Sequence, residues 1–225
     1  MSFLKRFKGL RYDIFYGLLV NRNYKLMMLG NRQTECNWNF YPGALNSDSI
    51  IYCGGVGKDI SFEHSLVQKF GCRIVLFDPS PTGLATMALP VNQIPQFKFA
   101  PVGLAGSCKV LKLAPPRWKE EGSWFKATGQ SDVIEVPCED LTTLMQRNGH
   151  KHIDLLKIDI EGAEYEVIDD LLKKRLPVRQ VLVEFHHGIL PGYSRSDSIR
   201  SIVKMVCAGY KLLDQYGTNH VFYRP

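Results

Sequence analysis

The chain has 225 residues, 45% of them hydrophobic, and a formal net charge of +6. This composition is typical of one globular domain with a full core. Its basic residues form no dense block, which argues against a nucleic-acid-binding protein. Its six cysteines are scattered without a C-x-x-C pair, which argues against a disulfide framework or a zinc site and suits reduced thiols in a cytoplasmic protein.

Residues 1–48 are predicted as an N-terminal extension and residues 49–225 as the main domain. The first twenty residues are basic and apolar, but their longest uncharged run, Ile14 to Val20, is too short to span a bilayer. Two interpretations stay open: an interfacial amphipathic helix that makes peripheral membrane contact, or a helix packed on the domain or belonging to a lid. The segment 33–49 is rich in Asn, Gly and aromatic residues and is predicted to be irregular.

The next segment predicts a strand, a glycine turn and a helix. An apolar run from Ser49 breaks at Gly55 and Gly57, and glycines there let the backbone approach a ligand. The helix that follows offers unpaired N–H groups. Asp78 ends the next strand about 20 residues beyond the glycines, where nucleotide-binding folds bond a ribose diol. The pattern therefore predicts an adenosine-containing cofactor.

Two cofactors compete for this turn. Nicotinamide dinucleotides prefer G-x-G-x-x-G, but Ile60 occupies the third glycine position and Asp59 places an anion near the pyrophosphate. S-adenosylmethionine (SAM) has no phosphate, and its sulfonium and ammonium groups are favoured by nearby carboxylates. The acids predicted at this end of the sheet favour SAM. They are Asp59, Asp78, Asp159, Glu161 and Glu184.

Strands and helices alternate along the rest of the chain, which predicts an α/β fold with a mostly parallel sheet, helices on both faces and a C-terminal antiparallel strand pair. The predicted strands cover residues 50–54, 73–78, 97–102, 108–113, 132–137, 153–158, 180–185, 210–213 and 220–223. The predicted helices cover residues 59–70, 82–89, 139–148, 163–174 and 196–208. The 114–131 insertion is typical of a lid or binding surface, and its Trp118 and Trp124 would either stack on an acceptor or anchor the loop.

Ligands of such sheets bind outside the carboxyl ends of the strands. Asp159 and Glu161 follow the fourth strand, and Glu184, His186 and His187 lie at the end of the fifth. The candidate cofactor-binding residues at this edge are Cys53, Gly55, Gly57, Asp59, Asp78, Pro79, Gly103 and Asp159.

Methyl transfer from a sulfonium to a hydroxyl is an in-line displacement in which the enzyme mainly aligns two atoms. His186 is the predicted general base, with Asp159 or Glu184 orienting its imidazole. In an alternative arrangement, Asp159, Glu161 and either His186 or Glu184 hold Mg²⁺ or Mn²⁺, which would acidify the hydroxyl. Each acid can instead be a helix cap or a salt-bridge partner. His187 is a further candidate.

Together these residues resemble the FkbM-type methyltransferase family from roughly Ser49 to Arg224. The matching segments are Gly55-Val-Gly-Lys-Asp-Ile-Ser-Phe62, Phe77-Asp-Pro-Ser80, Val102-Gly-Leu104, Asp154-Leu-Leu-Lys-Ile-Asp-Ile-Glu-Gly-Ala-Glu-Tyr-Glu-Val167 and Val183-Glu-Phe-His-His187. The resemblance implies a class I methyltransferase with a Rossmann-like, seven-stranded sheet. It also implies SAM-dependent O-methylation of a sugar, glycan or secondary metabolite, with SAM held by Gly55, Gly57 and Asp78.

Two other functions stay open at this point: a nicotinamide-dependent oxidoreductase and a non-catalytic SAM-fold partner module. The expected partner is a small-molecule or glycan hydroxyl acceptor, not a nucleic acid. The expected compartment is the cytoplasm, with membrane-peripheral contact under the first interpretation of the extension.

Overall fold

The computed structural model describes residues 14–116, 123–127, 129, 131–188 and 192–225. The predictions for residues 1–13 and for Trp118 lie outside these ranges. Within them, none of the helices combines the length and the hydropathy needed to cross a bilayer.

Thirteen strands lie within the described part of the chain. They are β1 Met27–Asn31, β2 Cys36–Phe40, β3 Ile50–Gly54, β4 Arg73–Phe77, β5 Phe97–Ala100, β6 Gly103–Leu104, β7 Lys109–Ala114, β8 Phe125–Lys126, β9 Ile134–Glu139, β10 Ile153–Ile158, β11 Val178–Glu184, β12 Lys211–Tyr216 and β13 Asn219–Tyr223. The helices are α1 (14–19), α2 Ser61–Phe70, α3 Pro81–Met87, α4 Leu141–Asn148, α5 Glu164–Lys173 and α6 Arg195–Cys207.

The central sheet has seven strands in the order β12-β13-β11-β10-β3-β4-β5. β11, β10, β3, β4 and β5 are parallel, whereas β13 runs antiparallel to both β11 and β12. The predicted fold, with its mostly parallel sheet and terminal antiparallel pair, is therefore confirmed. All six residues of β10 are buried, as expected for a strand covered on both faces.

The helices cover both faces of this sheet. On one face, α4, α5 and α6 contribute side chains such as Leu144, Ile168 and Ile202 to a large apolar cluster. On the other face, α2 packs Phe62 and Leu66 into a second cluster. The sheet is thus a rigid platform whose strand ends set the position of the site.

Two predicted helices begin two residues later than expected, because acidic side chains end the preceding segment. The Asp59 carboxylate accepts the Ser61 N–H at 2.7 Å, so α2 begins at Ser61 and not at residue 59. Asp140 caps α4 by accepting the Thr143 N–H at 2.8 Å, while Glu139 still belongs to β9.

The prediction of an irregular segment over 33–49 is wrong for its first part. β1 and β2 pair as an antiparallel hairpin, with Leu29 opposite Trp38. Trp38 and Phe40 are buried in the same cluster as Phe62, so the hairpin packs on α2. The boundary between extension and domain at residue 48 stays a prediction.

The predicted strands on either side of the insertion form a separate four-stranded sheet, in the order β6-β9-β7-β8. In β7, Leu111 and Leu113 are partly buried while Val110 and Lys112 are exposed, so the inner face is apolar. β8 is formed by the described part of the insertion and pairs with β7. This sheet covers one side of the strand ends.

Candidate functional site

A cleft of about 1080 Å³ lies along the carboxyl ends of β3, β4, β10 and β11. Both Asp78 and Asp159 line it, so the two carboxylates open onto one cavity. The hairpin contributes Trp38 to one wall, and the four-stranded sheet contributes Leu113 and Phe125 to the other. The cleft is larger than most single-ligand pockets, which leaves room for two ligands side by side.

The two glycines in the turn after β3 have different structural roles. Gly55 has φ +87°, and a Cβ on it would lie 1.8 Å from the Asp159 carbonyl oxygen. Gly57 has φ +59°, but a Cβ there would meet nothing within 4 Å. Gly55 therefore brings the ends of β3 and β10 together, while Gly57 leaves open space over the cleft floor.

Asp78 lies at the end of β4 and holds this turn. Its Oδ2 accepts the N–H groups of Val56 and Gly57 at 2.9 and 3.2 Å, and its Oδ1 accepts the Ser80 N–H at 2.8 Å. The residue as a whole is only 7% exposed. Its contacts in the structure are with backbone, and one remaining lone pair of Oδ1 is what it can offer a ribose hydroxyl. Pro79 and Gly103, also predicted to bind cofactor, line the cleft beside it.

Asp59 lines the cleft but is occupied by local bonds. Besides the Ser61 N–H, its carboxylate accepts the hydroxyl of Thr34 in the hairpin turn. Burial opposes its charge, but these hydrogen bonds outweigh burial and lower the pKa of Asp59. It is therefore an anion that ties the hairpin to the glycine loop.

Cys53 is the predicted cofactor-binding residue that the structure does not place in the cleft. Its side chain is fully buried under the glycine turn, on the face of β3 that packs toward α2. Side chains alternate along a strand, so the residue before the glycines points into the core. Burial raises the pKa of its thiol well above the usual range.

The floor of the cleft holds His186 among carboxylates. Its Nε2 lies 3.2 Å from Glu161 Oε2 and 3.9 Å from Asp159 Oδ1. Glu184 lines the same floor, and its Oε1 accepts the Thr218 hydroxyl at 2.9 Å. The predicted catalytic residues His186, Asp159 and Glu184 are therefore brought together.

Glu161 reaches His186 from an unusual backbone conformation. Its φ is +51°, a left-handed value that non-glycine residues rarely adopt. The same turn aims its carbonyl outward, where it accepts the Lys126 N–H of β8 at 3.1 Å. Glu161 thus connects the insertion to the cleft floor.

The residue that orients His186 differs from both predicted candidates. The fully buried Glu164, in the first turn of α5, accepts the His186 backbone N–H at 2.8 Å and faces its Nδ1 at 3.2 Å. Its other oxygen accepts the Gly162 N–H at 2.7 Å. Sequence reasoning missed Glu164 because an acid at a helix start is also an ordinary cap. The predicted roles of Asp159 and Glu184 as orienting groups are not what the structure shows.

The ionisation of this floor follows from burial and mutual charge. Burial opposes the charge of His186, but the hydrogen bond to Glu164 and the charges of Glu161 and Asp159 raise its pKa to about 10. Burial raises the pKa of Glu161 to about 7, although His186 acts in the opposite direction. Burial and the charge of Asp159 also raise the pKa of Glu184. The cleft floor is thus an imidazolium among closely packed acids.

His187 points away from the cleft. Its Nδ1 lies 2.8 Å from the Ser198 hydroxyl on α6. Successive residues after β11 alternate in direction, so only one of the two histidines reaches the floor. Burial, with help from Arg195, lowers the pKa of His187.

Beneath the floor lies a buried ion pair that sequence reasoning did not find. Lys157 Nζ on β10 lies 3.1 Å from Glu63 Oε1 on α2, and both side chains are almost fully buried. The same Nζ donates to the Gly55 carbonyl at 3.2 Å. Burial opposes the charge of Lys157, yet Glu63 and Asp159 raise its pKa. Only the fold brings these distant residues together.

One group of cleft residues also has the geometry of a cation site. Asp159, Glu184 and His186 each offer a ligand atom, and these atoms lie within 4.8 Å of one another. The sequence predicted a different combination, in which Asp159 and Glu161 hold the ion together with either His186 or Glu184. Glu161 is not in the group that the structure brings together.

The strand order, the glycine turn and the acidic floor at the carboxyl edge define a class I methyltransferase fold. The sequence profile of the methyltransferase FkbM domain matches residues 39–212. The chain belongs to this family, as the resemblance implied.

Comparisons with solved structures return methyltransferases at low sequence identity. An rRNA methylase from Streptococcus thermophilus is 11% identical with a TM-score of 0.46, over 81% of this chain and 91% of that one. Precorrin-6y C5,15-methyltransferase from Geobacter metallireducens GS-15 is 10% identical with a TM-score of 0.44, over 80% and 82% of the two chains. Aeropyrum pernix fibrillarin, solved with natively bound S-adenosyl-L-methionine, is 14% identical with a TM-score of 0.43, over 80% and 67%. A comparison with curated protein sequences finds no match.

Proposed function

We propose that the protein is a SAM-dependent O-methyltransferase whose acceptor is a hydroxyl of a sugar, glycan or secondary metabolite. The observation that supports this most is the single cleft shared by the glycine turn, Asp78 and the acidic floor. Family membership supplies methyl transfer as the reaction class.

The residues present fit the cofactor. SAM supplies a methyl group on a positively charged sulfur. Gly57 leaves the cleft floor open for its approach, and Asp159 and Glu184 place negative charge there. Asp78 fixes the turn through Val56 and Gly57 while keeping one oxygen lone pair for a ribose hydroxyl.

His186 is proposed to remove the acceptor proton through its Nε2, which faces the cleft. Glu164 holds Nδ1 and so fixes the orientation of the ring. Its raised pKa keeps the His186 imidazole protonated at neutral pH as long as the neighbouring carboxylates have no other cation to pair with. When Asp159 and Glu184 pair with the positive charge of the cofactor, they would attract the His186 proton less strongly. The pKa of His186 would then fall toward neutral pH, where a histidine can act as a base. Glu161, 3.2 Å from Nε2, can then share the proton.

A metal-assisted form of the same reaction is the second candidate, favoured by the geometry of Asp159, Glu184 and His186. These residues would hold a divalent ion, which would make an acceptor hydroxyl more acidic. An imidazole ligand favours Mn²⁺ over Mg²⁺, because Mg²⁺ prefers oxygen ligands. Calorimetric titration of the metal-free protein with MnCl₂ tests it directly. Absence of heat, together with methyl transfer that survives EDTA, would remove this variant.

Calorimetry with SAM and with S-adenosylhomocysteine tests the cofactor, and NAD⁺ is the comparison ligand. We expect the two adenosyl ligands to bind and NAD⁺ not to bind. The reverse result would favour the oxidoreductase alternative. Incubation with methyl-labelled SAM and a panel of hydroxylated acceptors then tests transfer. Cofactor binding with no transfer to any acceptor by the wild type would favour the non-catalytic module.

A further inference from the structure

The helix α1 presents an apolar face that the fold does not use. Phe15, Tyr16 and Leu19 pack on the main core cluster, whereas Ile14 and Leu18 are 55% and 82% exposed. The two exposed residues are four positions apart and therefore share one helix face. Leu18 is the most exposed large apolar side chain among the described residues.

The helix α1 lies beside β12 and β13, at the edge of the central sheet. Val20 bridges Leu212 near the start of β12, and the Tyr16 hydroxyl lies 2.9 Å from His220 Nε2. His220 stands on β13 opposite the residue that precedes the cleft acid Glu184. Going backward from Val20 to Tyr16, α1 therefore runs toward the strand ends that carry the site.

An exposed aromatic ring lies at the edge of the same sheet. Tyr216, at the end of β12, is 76% exposed. Tyrosine is suited to a water–lipid boundary, since one end of its ring is apolar and the hydroxyl is polar.

The sequence before α1 carries a net positive charge, with four basic residues against the single acid Asp13. Lys5, Arg6, Lys8 and Arg11 alternate with Phe3, Leu4, Phe7 and Leu10. Cationic and apolar residues in one segment are the composition of interfacial anchors on anionic lipid. A second protein copy would carry the same positive charge, so it is the less complementary occupant.

We propose that the face formed by Ile14 and Leu18, together with the basic segment before it, docks on an anionic membrane surface. The cleft edge then faces the lipid. Docking requires no methyl donor, so its experimental test is independent of the test of the proposed reaction.

The test is co-sedimentation of the full chain with vesicles of phosphatidylcholine alone or of phosphatidylcholine mixed with phosphatidylserine. We expect binding only to the anionic vesicles, and weaker binding at high salt. Ile14→Ser combined with Leu18→Ser should weaken binding roughly tenfold or more, because the apolar contribution is lost. Lys5→Gln combined with Lys8→Gln should weaken it on anionic vesicles as well.

Val203→Ser is the matched control, because Val203 is also an exposed apolar residue (42%) but lies on α6. It should bind as the wild type does. The proposal would be overturned if the wild type did not bind anionic vesicles, or if the Ile14/Leu18 double variant bound them as strongly as the wild type. So would sedimentation velocity showing a dimer that the same double substitution dissociates, because the face would then join two copies. Unchanged binding of S-adenosylhomocysteine by the variants verifies that they are folded.

Discussion

At the scale of single residues, Asp78 joins the second strand end to the glycine turn. Replacing it with alanine leaves the N–H groups of Val56, Gly57 and Ser80 without their acceptor. We expect Asp78→Ala to lower the free energy of unfolding by about 3 kcal/mol, since buried donors lose their partners. Urea unfolding measures this change, and calorimetry should show weaker binding of S-adenosylhomocysteine.

Asp48→Ala is the control for this substitution, because Asp48 is exposed. It should change the free energy of unfolding by about 0.5 kcal/mol or less. Equal stability of the two variants would mean that the carboxylate of Asp78 does not hold the turn.

The acids of the cleft floor predict how stability depends on pH. The native pKa of Glu161 is raised to about 7, from about 4.3 in an unfolded chain. The native state therefore favours the protonated acid, and this stabilisation is complete below pH ~4.3 and lost as the pH rises through about 7. The native pKa of His186 is raised to about 10, from about 6.5 in an unfolded chain, so stability is also lost as the pH rises between these two values. Burial lowers the pKa of His220 to about 4, so His220 acts in the opposite direction below pH ~6.5. Urea unfolding of the protein should therefore show the decline most clearly above pH ~6.5.

Glu161→Gln isolates the acid part of this decline. Between pH ~4.3 and ~7, we expect the wild type to lose about 2 kcal/mol of unfolding free energy relative to this variant, because glutamine does not titrate. Glu135→Gln is the control, since Glu135 lies on the exposed face of β9. Identical pH profiles for wild type and Glu161→Gln would contradict the raised pKa.

At the scale of elements, a glycine lets α3 sit directly on Asp78. A Cβ on Gly83 would lie 2.3 Å from the Asp78 Cγ, so alanine there must displace the helix or the carboxylate. We expect Gly83→Ala to destabilise the protein by about 1–3 kcal/mol and to weaken cofactor binding. Thermal unfolding and calorimetry measure the two effects.

The control for Gly83→Ala is Gly17→Ala in α1, where an added Cβ would meet nothing within 4 Å. Alanine should stabilise that helix by about 0.5–1 kcal/mol, because glycine loses more backbone entropy. If Gly83→Ala had the same effect as Gly17→Ala, close packing of α3 on Asp78 would be refuted.

The order of elements could be predicted because alternation, glycine turns and acidic helix starts are local signals. The hairpin was missed because its β2 strand lies in a segment rich in Asn and Gly, and the burial of Trp38 depends on α2. The cleft floor was predicted for the same reason as the fold, since parallel strands end at one edge. Glu164 and Thr218 were not found, because their partners His186 and Glu184 are 22 and 34 residues away. Their roles come from contacts that no local pattern encodes.

At the scale of the whole molecule, one buried ion pair connects the sheet, a helix and the hairpin. Lys157 extends from β10 to Glu63 on α2, and its Nζ lies 5.7 Å from the centre of the Trp38 ring. It also donates to the carbonyl of Gly55, so the same ammonium group supports the cofactor turn. The two apolar clusters alone cannot supply this link, because it joins the core to the backbone of the site.

Lys157→Met should therefore damage both stability and cofactor binding. Glu63 would be left as an uncompensated buried charge, which costs about 3–5 kcal/mol. We expect the double variant Lys157→Met with Glu63→Gln to recover part of this loss, because neither position of the pair then carries a buried charge. It should not recover cofactor affinity, since Gly55 still lacks its donor. Lys204→Met, which removes an exposed partner of Asp169, should cost about 1 kcal/mol or less. Urea unfolding of the four proteins, with calorimetry for S-adenosylhomocysteine, separates the two effects. Full recovery of affinity in the double variant would show that Lys157 serves the core alone.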